Sequence, residues 1–360
     1  MDKLALYVNP AWRRGGGHLY TPLLFPFWGN PTTKASLFAK EMFDAHPFDT
    51  SYYGVTEKIE EADIVLAPYR HNWLLRHDPA LLAECERTAK DAELPLLIDG
   101  MGDVETPIDK EDVYVLRIGG YRFIQEPGRI QIPPASDDLL ERVCGGRLQV
   151  RTKSGATPVV GFAGWAWLSP LQRLRTYIKE APLRVRGLFD SRYRAMQKGV
   201  LWRRRALNIL KRSPLVSLNL KERGSFSGSS KTAEADLRAL RQDLVDTVLA
   251  SDYALDVRGD ANDATRLFEI LSLGRIPVVV DTERNFPFGD VVDYRDFCLI
   301  VDFRDIEKLS QIIADFHAQI SPERFEAMQR AARDAFVNHF RIDAQTKHIV
   351  SMLRERIAKH

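Results

Sequence analysis

No run of about 18 consecutive apolar residues occurs in this sequence, so no segment reads as a membrane-crossing helix. Cysteine is scarce. Cys85, Cys144 and Cys298 are odd in number, far apart and free of CxxC or Cys/His ligand spacing. That argues against a disulfide framework or a zinc site and for reduced thiols in a cytosol-like compartment. Net charge is nearly absent as well: 51 Lys and Arg against 49 Asp and Glu leave +2. No global field therefore points to nucleic acid or to an acidic partner. There is no repeat of fixed period and no low-complexity tract. The opening "MDKLALYVNPAW" has too short an apolar run for a signal peptide and no small-residue cleavage site, and it reads as a first strand.

What is present is a globular composition, 45% hydrophobic and 28% charged, on 360 residues, enough for two domains. Short apolar strands ("KLALYVN", "TSYYGV", "ADIVLAPY", "LPLLIDG", "VYVLRIG") alternate with the helical patterns "TTKASLFAKEMFDAH" and "PALLAECERTAKDAE". This rhythm predicts a mostly parallel sheet covered on both faces. It pauses at "IQIPPASDDLLERVCGG", which reads as a linker. It resumes with "TPVVGFAGW", "LVSLNL", a long helix "TAEADLRALRQDLVDTVLAS", further strands to "FCLIVDF", and three C-terminal helices. The reading is an α/β protein with two Rossmann-like domains, 1–150 and 151–335, facing across a cleft. A helical segment, 336–360, packs back on the first domain in this reading.

One unit carries the chemistry: "SDYALDVRGDANDATRLFEILSLGRIPVVVD" (251–281), strand, turn, helix, strand. Asp263 is the expected N-cap, Leu267, Ile270, Leu271 and Gly274 form the buried stripe, and Gly274 ends the helix. The turn directs free backbone N–H groups and the positive end of the helix dipole toward a phosphate site. Arg258 and Arg266 add charge to hold a diphosphate, and Glu269 is placed to accept two hydrogen bonds from a ribose diol. The same i, i+3 spacing of Arg266 and Glu269 equally suits a surface ion pair.

This segment resembles the C-terminal signature of the exostosin-like glycosyltransferases, family 47, in a bacterial branch. Gly259, Arg266, Leu267, Glu269, Gly274, Ile276, Pro277, Val278, Pro287, Phe288, Asp293 and Tyr294 fall in place. Asp256 stands near the family's proline-bearing position, Thr265 replaces a serine and Arg275 a cysteine. "ADIVLAPY" and "IQIPPASDDL" are similar to two further family stretches, more loosely. The resemblance implies the GT-B fold, with the second domain holding a nucleotide-sugar, usually UDP-linked, and the first holding the acceptor. It also implies an inverting mechanism. The chain has no Asp-x-Asp triplet, the metal clamp of the other major glycosyltransferase fold. No metal or other cofactor is expected, so arginines and the helix N-terminus would stabilise the leaving diphosphate. Retaining GT-B enzymes often carry a glutamate eight residues before the ribose glutamate, where this chain has Ala261.

Inversion requires a base on the acceptor side. The candidates are Asp99 and Asp103 in "LIDGMGDVETP" and His71 in "APYRHNW", with Asp99 preferred because it directly follows an apolar strand. An Asp-Gly turn is the plainer role for Asp99, and a structural one is commoner for His71. Lys221 and Arg223 at a neighbouring strand end, and Gly164 in "FAGW", complete the donor-side set. The glycine-rich "WRRGGGHLY" lacks a following helix, so it reads as a mobile acceptor loop or an ordinary one. "LLFPFW" reads as packing, with Trp28 as an outside sugar-stacking candidate.

Residues 182–212 hold ten Lys/Arg and one acid, Asp190, with Phe189, Tyr193 and Trp202 interleaved. A solvated helical face is the plain reading, and a patch for an anionic glycan or lipid surface the sharper one. Nucleic acid is not expected. The sequence thus predicts a metal-independent, inverting glycosyltransferase of a bacterial cytoplasm, peripheral at the inner membrane, acting on a glycan or lipid-linked glycan in surface polysaccharide synthesis. The alternatives are a GDP- or CMP-sugar enzyme and a catalytically silent relative that binds glycan or partner transferases.

Overall fold

The computed structural model describes residues 3–15, 19–31, 37–102, 107–153, 155–224 and 236–358. Asp103, Gly16 and Gly17 of the glycine-rich loop, most of "GSFSGSSK" and the start of the long helix at 232 lie outside them.

The first sheet has six parallel strands in the order β2-β1-β3-β4-β5-β6: β1 (Leu4–Tyr7), β2 (Tyr53–Thr56), β3 (Ile64–Leu66), β4 (Leu96–Asp99), β5 (Val113–Arg117) and β6 (Arg129–Gln131). Its helices are α1 (Phe25–Trp28), α2 (Leu37–Ala45), α3 (His71–His77) and α4 (Pro79–Asp91). Every residue of β3, β4 and β5 is buried, as continuous apolar runs demand when helices cover both faces of a parallel sheet. Helix α4 starts where local chemistry says it must. Asp78 accepts from the Leu81 N–H and Pro79 occupies the first turn.

After α5 (Leu139–Cys144) comes the second sheet, order β11-β10-β9-β7-β8, also parallel. Its elements are β7 (Val159–Trp165), α6 (Pro170–Arg186), α7 (Ser191–Ala195), α8 (Gly199–Arg212), β8 (Ser217–Arg223), α9 (Leu237–Leu249), β9 (Tyr253–Val257), α10 (Thr265–Ser272), β10 (Ile276–Asp281), β11 (Leu299–Asp302), α11 (Leu309–Gln319), α12 (Pro322–Ala335) and α13 (Ile342–Ile357). A π-helical turn, Phe336–Phe340, joins the last two helices.

The C-terminal ends of the two sheets meet. Asn262 Nδ2, just past β9, donates to Gly120 O just past β5 at 3.0 Å, and Arg122 pairs with Asp281 at the end of β10 at 2.9 Å. Tyr121 and Arg284 form an isolated antiparallel bridge. This is the expected GT-B arrangement of two parallel-sheet domains facing one another. Helix α13 returns to the first domain: the Asp49 N–H donates to Thr346 Oγ1 and Arg356 Nη1 to Pro127 O, both at 2.9 Å. Ile349, Val350 and Leu353 enter the first domain's core.

Three local readings need correction. The 130–146 stretch is not bare linker, because β6 completes the first sheet and α5 begins at Leu139 under an Asp138 cap. Pro22 does start helical structure, a 3-10 turn at Pro22–Leu24 running into α1. The basic run 182–212 is not one solvated face. It is divided among α6, α7 and α8, and α8 buries Trp202, Ala206, Leu207 and Leu210.

Candidate active site

The cluster that the sequence reading assigned to the donor is built where β7, β8 and β9 stop. Helix α10 is capped by backbone rather than by the expected carboxylate: Ala264 is the N-cap, and Asp263 sits one residue earlier. Its Oδ1 accepts from the Ala264 N–H at 2.7 Å while the carboxylate lies 3.6 Å from Arg284. The side chain is drawn toward that buried guanidinium and so does not reach the second or third helical N–H. Leu267, Phe268, Ile270 and Leu271 are buried, and Gly274 takes a left-handed φ of 61° that ends the helix.

Arg258 does not point outward. Its guanidinium is buried and its donors go to Ala195 O at 3.0 Å, Asp260 O at 2.7 Å and the Tyr121 hydroxyl. Arg258 therefore shapes the 258–263 turn and ties it to α7 and the first domain, instead of offering free donors to a phosphate. Asn262 adds a second tie through Gly120 O and Thr282 O. Gly259 lies in this turn and Thr265 is exposed at the first turn of α10.

Arg266 reaches across to β7. It donates to Ala163 O, holds Glu269 Oε2 at 3.3 Å, and stacks 5.6 Å from the Phe162 ring centre. Gly164 is thereby brought together with it: a Cβ on Gly164 would stand 3.0 Å from Arg266 Nη2. The ion pair that the spacing allowed does exist, but it sits at the strand ends, with both side chains only partly exposed.

A residue the sequence reading missed completes the group. Arg203, on α8, donates to Val257 O at 3.2 Å and Trp165 O at 3.3 Å, bridging the ends of β9 and β7. Burial, then the nearby charge of Arg266, lowers its pKa to about 10. Arg223 at the end of β8 donates to Leu240 O at 2.8 Å and faces Asp243 at 3.4 Å. Its pKa is also lowered by burial, against the pull of Asp243 and with a contribution from Arg266. Three guanidinium groups thus share one low-dielectric corner, an arrangement that costs free energy and is relieved by an anion. Lys221 is exposed on the edge strand, two residues short of its end. Asp137 of the "IPPASDD" segment is buried nearby. Burial raises its pKa against the pull of Arg241 and Arg142, and Glu269 adds a small raising effect.

Arg203 had a legible signal. Gly199, Arg203, Ala206, Leu207 and Leu210 share one helical stripe, so a charge stands at a core position.

In the first domain, Asp99 ends β4 completely buried. Its Oδ1 accepts from the Met101 N–H at 2.9 Å, which is the Asp-Gly turn, and its Oδ2 lies 3.7 Å from Arg70 Nε. Burial raises the carboxyl pKa, and Arg70 opposes the shift. His71 opens α3, buried, with its pKa lowered by burial and then by Arg117. Arg117 is itself held by Glu126 at 2.6 Å. Asp99 Oδ2, Arg70 Nε, His71 Nδ1 and Thr21 Oγ1 are buried polar atoms with no hydrogen-bond partner in the protein. Such orphans are costly and concentrate where a ligand or mechanism needs them. Trp28 packs against Tyr20 at 5.2 Å and under Arg13, a packed aromatic and not an open platform.

Among the described residues, one His-carboxylate group has metal-ligand spacing: His46, Asp138 and Glu141. Arg333 and Arg341 already neutralise both carboxylates, so a cation there would meet two guanidiniums.

Residues 204–316 match the family model of the Exostosin GT47 domain. No curated protein matches the chain by sequence. Among solved structures, a glycosyltransferase from Rickettsia africae ESF-5 is 12% identical with a TM-score of 0.38, over 84% of this chain and 78% of that one. TarM is 9% identical with a TM-score of 0.30, over 77% of this chain and 58% of its own. The sequence signature at 258–294 lies wholly within the family match, so the chain carries an exostosin GT47-like glycosyltransferase domain over residues 204–316.

Proposed function

We propose that this glycosyltransferase is metal-independent and inverting, takes its sugar from a UDP-linked donor, and passes it to a glycan or lipid-linked glycan of a cell-surface polysaccharide. The observation that carries the donor side is the arginine corner. Arg203, Arg223 and Arg266 converge at the ends of three parallel strands beside Gly164 and Gly259, with the α10 N-terminus behind them. A diphosphate leaving group needs fixed positive charge of this kind as it departs, and a guanidinium group supplies it without a metal. Glu269, held by Arg266, is offered to the ribose hydroxyls. Asp99 is proposed as the base, with its Oδ2, which makes no hydrogen bond and faces Arg70 at 3.7 Å, accepting the acceptor hydroxyl proton during direct displacement. Asp103 remains a second candidate. The Arg258 side chain supports the turn and Lys221 is assigned no contact.

The test is calorimetric titration with UDP, GDP and CMP in EDTA, on the native chain and on Arg266→Ala. UDP is expected to bind without metal and to bind the variant at least about tenfold more weakly, as loss of a charge-assisted hydrogen bond requires. Binding of GDP or CMP alone would reassign the donor, and binding only on addition of a divalent cation would overturn metal independence. The anomeric configuration of the product, read by proton NMR, tests inversion.

A further inference from the structure

We infer that helix α6 is a membrane-surface helix that seats its apolar stripe in an anionic phospholipid layer. This surface does not depend on the donor assignment above.

Helix α6 has 17 residues and buries none of them. At 100° per residue, Leu171, Leu174, Ile178 and Val185 fall within an arc of about 60°. They are 57%, 57%, 65% and 58% exposed. The half-buried side of the helix is Thr176, Glu180 and Leu183, roughly opposite that arc. Glu180 is the residue that fastens the helix, accepting from the Lys198 N–H at 3.0 Å. The helix is therefore amphipathic with its apolar side turned away from the protein. The stripe continues past both ends, into Trp167 at 49% exposure and Leu188 and Phe189 at 81% and 88%. Exposed apolar surface of this extent marks an interaction site.

Charge selects the occupant. From Trp167 through Lys198 there are eight Lys/Arg and two acidic residues. Arg175, Lys179 and Arg186 flank one side of the stripe, within reach of headgroups when it is submerged. On the other side a cavity of about 810 Å³ is lined by Arg173, Arg184, Arg204, Arg205 and Arg212, with Tyr177 under Arg184. Two copies of so basic a face would repel each other, whereas an anionic lipid surface attracts every neighbouring Lys or Arg. Helix α6 also leaves directly from β7, whose end carries Gly164. A bilayer under the stripe would lie beside the donor end, where a lipid-linked acceptor could be drawn from it.

The test is flotation of the full chain with vesicles of phosphatidylcholine alone and of phosphatidylcholine with phosphatidylglycerol at about 3:1, a composition that supplies negative surface potential. The native chain is expected to float with the mixed vesicles only, less as salt is raised. Leu174→Asp/Ile178→Asp, both at exposed positions, is expected to reduce binding by about tenfold or more through loss of apolar insertion. Nucleotide titration and circular dichroism on the same variant should be unchanged, which separates failure here from failure of the donor site. No binding to the mixed vesicles, or equal binding by the variant, overturns the proposal. A native dimer that the variant converts to monomer without lipid overturns it in favour of a second copy.

Discussion

The guanidinium of Arg266 packs over the bare Cα of Gly164, close enough that a Cβ there would stand 3.0 Å from Nη2 and 3.4 Å from Nη1. Gly164→Ala must displace that guanidinium by a few tenths of an ångström, while its hydrogen bond to Ala163 O resists. We expect nucleotide affinity to fall several-fold, about 1 kcal/mol, and the melting temperature to fall as well, because at a φ of 157° an alanine is strained. Calorimetry against scanning calorimetry separates the two. Unaltered affinity would remove Arg266 from the binding surface.

Arg203 stands in a dry corner beside another positive charge, with no acidic residue paired to it by a salt bridge among the described residues. Arg203→Met should leave the melting temperature unchanged or raise it, and should weaken nucleotide binding by about 2 kcal/mol. A purely structural Arg203 would show the reverse, a lower melting temperature with affinity intact.

Arg284 is fully buried between two carboxylates, 2.8 Å from Asp256 and 3.6 Å from Asp263. One cation cannot satisfy both, and burial pushes Asp263 up to about 7 from 3.8. The folded state therefore keeps a proton that the unfolded chain releases. This group's contribution to stability falls as pH rises from about 4 to about 7, then levels. Asp263→Asn should flatten that limb, so that it gains on the native chain between pH 5 and pH 8 in urea melts. Asp256→Asn strips the close partner from a buried cation and should cost about 3–5 kcal/mol. Parallel pH profiles for native chain and Asp263→Asn would contradict the assignment.

Asp99→Asn preserves the turn to Met101 and deletes the basic oxygen. Turnover should drop by about 10²–10⁴ with nucleotide affinity unchanged. Because burial raises this carboxyl, the acid limb of the native rate profile should lie above the ordinary carboxylate range. A variant with most of its turnover would leave Asp99 as a turn former.

Gly199 begins α8 against the 258–263 turn, where a Cβ would come within 2.0 Å of Gly259 O. Gly199→Ala must push backbone, not a side-chain tip. It should cost about 1–3 kcal/mol of stability and weaken nucleotide binding as well. Loss of stability alone would show that the turn tolerates the shift.

Much of this architecture was readable because parallel strands buried on both faces carry unbroken apolar runs, as in "LPLLIDG" and "IPVVVD". Strand β6 was hidden because it is only three residues long and runs into a proline pair. Asp263 looked like an N-cap because local spacing cannot show that Arg284, 21 positions later, competes for its carboxylate. Arg258 looked like a phosphate ligand for the same reason: its partners Tyr121 and Ala195 are distant in sequence. Arg203 was masked by its neighbours Arg204 and Arg205, although its helical register with Ala206 and Leu210 set it apart. Only the last turn of α6 falls in the basic run 182–212, and only the fold reveals which side of the helix faces away from the protein.

The return of α13 has a kinetic consequence. Its apolar residues finish the first domain's core, yet Ile342 is synthesised about 210 residues after β6 ends at Gln131. At ribosomal rates that delay is on the order of 10–40 s. Until then the first domain lacks the α13 side chains that complete its core, and apolar surface left bare in this way makes a partly folded chain prone to aggregate.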